Sequence, residues 1–106
     1  MSTERPYCFD DYNARLLSLK YKVHATPKPL SASAARHLAN TLQAMLIDIH
    51  YAALREGKVE SKIIASIDAQ DIVENLEPYT ADDPEILQTI EHVRKRIGRM
   101  QNKHRE

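Results

Sequence analysis

Residues 31–57 read SASAARHLANTLQAMLIDIHYAALREG, and this stretch decides the fold class. Ser31 or Ser33 offers a side-chain oxygen to the free N–H groups of a helix start, and Gly57 is the residue type that ends a helix. Between them Leu38, Leu42, Met45, Ile49 and Ala52 recur at steps of four and three, the period of one helical face. From Met45 onward further apolar residues join from other sides of the axis. At about 100° per residue, Ile47, Tyr51 and Leu54 form an arc nearly opposite the one through Met45, Leu46, Ile49 and Ala53. A helix apolar on two sides has to be covered on two sides. It is either the central helix of the domain or a helix whose second side meets another molecule.

Upstream lies Pro27-Lys28-Pro29, an extended connector, because the residue before each proline is pushed away from helical geometry. Before it, Tyr12, Leu16, Leu19 and Val23 predict a helix starting near Asp10 or Asp11, with residues 1–9 a loose N-terminus. Downstream, residues 58–77 are helical in character, but Ile63, Ile64 and Ile67 face away from Ile72, Val73 and Leu76 on a continuous wheel. A break at Asp68 to Asp71 would realign the two stripes. The last helix has a clear start, with Asp83 as cap, Pro84 at the first helical position and Glu85 in the first turn. Its seam, Ile86, Ile90, Val93, Ile97 and Met100, has the narrow spacing of coiled-coil packing. No segment of the sequence repeats.

These 106 residues fit one domain. With only two glycines the chain lacks the turn residues that hairpins and barrels need. The expected fold is therefore all-α: a single antiparallel four-helix bundle-like domain over residues 1–106, with its third helix broken.

Cys8 is the only cysteine, which excludes an intrachain disulfide and points to a reducing compartment. The N-terminal residues MSTERP lack the basic and then apolar pattern of a secretion signal. The longest aliphatic run, Ala44 to Ile47, is far short of the roughly 20 residues a membrane span needs. A cytoplasmic protein with no membrane contact is expected.

The zero net charge conceals a segregation. Residues 1–55 carry seven Lys/Arg against four Asp/Glu, residues 56–91 two against ten, and residues 92–106 six against one. The segments are thus +3, −8 and +5, an acidic middle and a basic end.

Catalytic and metal readings fail on spacing. The five histidines form no His-x-x-x-His or Glu-x-x-His pair, and His37 and His50 lie about 140° apart around their helix. His37 is followed by Leu38, Ala39, Asn40 and Thr41, which departs from the His-x-Leu-Lys-Gly pattern of histidine phosphotransfer domains. No serine sits in a glycine-framed elbow, and Cys8 reads as a small packing residue. No enzyme activity, cofactor or metal is expected.

Two surfaces remain. Lys95, Arg96, Arg99 and Lys103, flanked by Arg94 and Arg105, form a basic face that could neutralise phosphates. The acidic 56–91 segment and the absence of an aromatic stacking row disfavour nucleic acid. The seam of the last helix and the Ile47, Tyr51, Leu54 arc point instead to helix-mediated association with a protein partner, in a homodimer built through the second or fourth helix. In length and all-helical pattern the chain resembles the small antiactivators that inhibit LuxR-type quorum-sensing regulators. That resemblance implies a regulator that sequesters a protein partner such as a transcription factor, and it carries no residue roles.

Overall fold

A computed structural model describes residues 8–80 and 82–101. They form α1 (Phe9–Ala25), α2 (Ala32–Glu56), α3 (Val59–Leu76) and α4 (Pro84–Gln101), with a short 3-10 turn at Glu77–Tyr79 and no strand among the described residues. The all-α, four-helix, bundle-like domain is therefore what this chain adopts.

The punctuation works as its chemistry dictates. Ser31 Oγ accepts the Ala34 N–H at 3.0 Å, and Gly57 closes α2 at φ 67°, where an L side chain would be strained. Asp83 Oδ1 accepts the N–H groups of Glu85 and Ile86 at 3.0 and 3.3 Å. The start of α1 differs from expectation. Cys8 is its exposed cap residue, with its N–H donated to the Asp11 carboxylate at 3.3 Å, so it closes a helix end and is not packed. Phe9, expected in a loose terminus, opens the helix and is buried. Residues 1–7 of that expected terminus, and Lys103 and Arg105 at the other end, lie outside the described residues.

Long-range pairs fix the directions of the helices. The Phe9 N–H donates to Glu56 Oε2 at 2.8 Å, so α1 begins where α2 ends and the two are antiparallel. Lys20 Nζ meets Asp68 Oδ1 at 3.0 Å, and His24 Nε2 lies 2.8 Å from Asp71 Oδ2. Both pairs advance together along the chain, so α1 and α3 are parallel. Arg36 reaches Asp83 at 2.8 Å, start to start, which makes α2 and α4 parallel as well. Each of α1 and α4 packs against both α2 and α3, and α2 touches α3 between them.

The result is a slab of 39 × 38 × 22 Å. Its thickness is that of two helices at about 10 Å each. The sides of α2 and α3 that face away from each other form its two broad faces.

The two halves bury equivalent positions. Phe9, Leu16, Leu19 and Val23 of α1 correspond in spacing to Lys62, Ala69, Ile72 and Leu76 of α3. Ala35, Ala39, Leu42, Leu46 and Ile49 of α2 correspond to Ile86, Ile90, Val93, Ile97 and Met100 of α4, and all are buried. Large residues in one half answer small ones in the other, Leu16 to Ala69 and Ile86 to Ala35. That is why equal hairpins leave no repeated sequence.

The expected break in the third helix is absent. From Val59 to Leu76 the helix is continuous, and only its end tightens into the 3-10 turn. Realignment is unnecessary because the first isoleucine stripe is not buried. Lys62, Ala65, Ser66 and Ala69 line the inner side of that half, while Ile64 and Ile67 point to solvent. Asp68 and Asp71, instead of capping a new helix, hold α1 through Lys20 and His24.

Candidate protein-interaction face

The structure separates the two groups of residues expected to form an interface. Ile86, Ile90, Val93, Ile97 and Met100 are each no more than 4% exposed and belong to the core. The seam on α4 is therefore not an association surface in this fold. Its narrowness suggests a single neighbouring helix, yet α4 packs against both α2 and α3.

The α2 arc behaves oppositely. Ile47, Tyr51 and Leu54 are 37, 56 and 48% exposed, although their chain neighbours Leu46, Ile49 and Ala53 are buried. The core is complete without the arc. The Tyr51 ring is steadied by an edge contact with His50, centroids 5.6 Å apart.

Because α2 and α4 run parallel, the Ile47 end of this arc lies beside the basic half of α4. A groove between the helices has buried Leu46 and Val93 as its floor and Ile47, Lys95, Arg96 and Arg99 around it. The cations expected to sit opposite the α4 seam thus share one face with the apolar arc. Among the described residues Lys95, Arg96 and Arg99 enter no ion pair. Arg94 leaves the cluster and pairs with Glu77 at the end of α3.

At the far end of the same helix pair the charges are satisfied. Arg36 binds Asp83 at 2.8 Å and Glu85 at 3.4 Å. The hydrogen bond from Arg36 is the main cause holding the Asp83 carboxyl below the usual carboxylate range, and it raises the guanidinium in return.

A second apolar face escaped the sequence reading. Ile64 and Ile67 on α3 are 62 and 58% exposed, and Tyr21 on the neighbouring α1 more so. Glu60, Asp68, Asp71 and Glu74 surround the isoleucines, and every exposed charge on α3 is acidic. The signal was present in the outward-facing stripe of Ile63, Ile64 and Ile67. Periodicity alone reads that stripe as a break in the helix, because it assumes that isoleucines are buried.

Among the described residues no group of three or more His, Cys, Asp or Glu side chains could hold a metal ion, and no helix is long and apolar enough to cross a membrane. No protein-family model matches the chain, and neither curated proteins nor solved structures contain a significant match to it.

Proposed function

We propose that this protein is a small helical interaction module, a regulator that sequesters a protein partner by docking one of its helices on the α2/α4 face. The observation that carries the reading is the Ile47, Tyr51, Leu54 arc, left exposed beside a completed core. Apolar surface of this kind, rimmed by charge, is typical of a helix-in-groove site. Lys95, Arg96 and Arg99 border it and enter no ion pair among the described residues, so the fitting occupant is an amphipathic helix with acidic flanks. A transcriptional regulator is the class of partner that the resemblance to antiactivators implies. A cytoplasmic setting suits the single exposed thiol of Cys8.

Nucleic-acid binding through the same cations is the second reading. It is weaker because phosphates gain nothing from isoleucine and leucine in the middle of the contact. The test is a photo-crosslinking amino acid at position 51, used in cells and followed by mass spectrometry of the adduct. The expected adduct is a helical protein segment with apolar residues and acidic flanks, lost in the Ile47→Asp variant and insensitive to nuclease. Recovery of nucleic acid, with binding that falls steeply as salt is added, would replace this reading with the second.

A further inference from the structure

The α2/α4 face fits an apolar helix flanked by acids, and the chain itself displays one. Ile64 and Ile67 stand exposed on α3 with Glu60, Asp71 and Glu74 around them. On the opposite broad face Ile47 stands beside Lys95, Arg96 and Arg99, and Tyr51 and Leu54 continue its arc along α2. The two patches match in kind, aliphatic on aliphatic, and oppose in charge.

They also lie on opposite sides. Asp68 and Asp71 tie α3 to α1, and the inner residues of α3 meet α2, so Ile64 and Ile67 point away from α2. One molecule therefore cannot bring its own patches together. A second copy can.

We infer that copies of this chain associate head to tail, the α3 face of one molecule seated on the α2/α4 face of the next. The inference rests on reading the α2/α4 face as a docking surface. It differs from a two-fold homodimer, in which one patch meets itself. Two-fold pairing through α3 would set acids against acids, and through α2/α4 cations against cations. A contact between two different patches leaves one of each free at the ends, so growth continues unless the rotation closes a ring. It also makes the chain its own competitor, since each stacked copy occupies the face a partner helix would use.

Two exposed substitutions test this, Ile64→Lys on the α3 face and Tyr51→Asp on the α2/α4 face. Masses are read by sedimentation from about 1 µM to about 1 mM, after circular dichroism has shown each variant to be as helical as the parent. The parent protein is expected to gain mass beyond two chains as concentration rises. Each variant alone should remain a single chain. An equimolar mixture should give a species of two chains, because each variant keeps the patch the other has lost. A parent protein that is monomeric throughout overturns the inference, as does a dimer that only one substitution disrupts, a mixture that stays monomeric, or association abolished by nuclease. A monomeric protein that still crosslinks an acidic partner helix at position 51 removes the self-association and leaves the proposed function standing.

Discussion

α3 and α4 are each 18 residues long and together make the second helix pair of the domain, yet they sort their residues differently. In α4 the five seam residues are buried and the cations are outside, with Leu87 the exposed apolar exception. In α3 the sorting is partly inverted. Lys62 and Ser66 are buried among the core residues, and Ile64 and Ile67 are out in solvent. Ser66 is satisfied locally, donating to the Ile63 carbonyl at 2.5 Å, but Lys62 Nζ has no hydrogen-bond partner among the described residues. A buried ammonium without a partner and exposed isoleucines both oppose folding or solubility. α4 is a helix shaped by the core alone, whereas α3 carries features that the core does not explain.

The largest effect should come from breaking the well-sorted helix. Ile97→Asp puts a carboxylate into a position that is 4% exposed. The cost is several kcal/mol against a total stability of about 5–15 kcal/mol, so the variant should lose its helical circular dichroism at room temperature. A folded Ile97→Asp protein would show that α4 is less essential to the core than its burial implies. Repairing the badly sorted helix should act in the other direction. Lys62→Met keeps the long stem and removes the unpartnered donor, and should raise stability by about 1–3 kcal/mol in urea titration. A loss of stability instead would mean that the ammonium is satisfied in solution.

Ile64→Ser and Ile67→Ser sharpen the contrast from outside. Each should alter monomer stability by no more than about 0.5 kcal/mol, because neither side chain is in the core, while together they abolish concentration-dependent mass. The smallest effect is expected at the Arg36–Asp83 pair, which is exposed. The folded state lowers the Asp83 pKa, so its contribution is complete above the ordinary carboxylate range and disappears as pH falls through the lowered value. The difference in urea midpoint between the parent and Asp83→Asn should therefore be constant near neutrality and close below about pH 4. A gap that persists in acid would assign the effect to the capping of Glu85 and Ile86 N–H groups and not to charge.

Much of this architecture could be read from local chemistry. Ser31, Gly57 and Asp83 act through their nearest neighbours along the chain, so their roles as helix punctuation follow from sequence spacing. The α2 arc was legible for a related reason, since a helix wheel alone shows that Ile47, Tyr51 and Leu54 cannot share a side with Ile49. Periodicity does not say which partner covers a stripe, and there the reading failed. The width of the α4 seam suits a single neighbouring helix, and the local sequence does not show that both α2 and α3 pack against α4. Burying the α3 isoleucines requires a break in the helix, and α3 is continuous from Val59 to Leu76. The joining of the basic α4 half to the apolar α2 arc depends on the parallel alignment of those helices, a long-range fact fixed by pairs such as Arg36 with Asp83.

That parallel alignment also governs how the protein reaches its fold. The pairs joining α1 to α3 and α2 to α4 are separated by 47 or 48 residues, whereas the α1–α2, α2–α3 and α3–α4 corners close over short links. Closing a long loop loses more chain entropy than closing a corner, so the corners form early and the parallel seams close last. Interactions made only after the rate-limiting step slow escape from the native state without hastening arrival. Lys20 and Asp68 are thus brakes on unfolding: removing either should speed the denaturation of this chain in stopped-flow measurements and leave its refolding rate nearly unchanged.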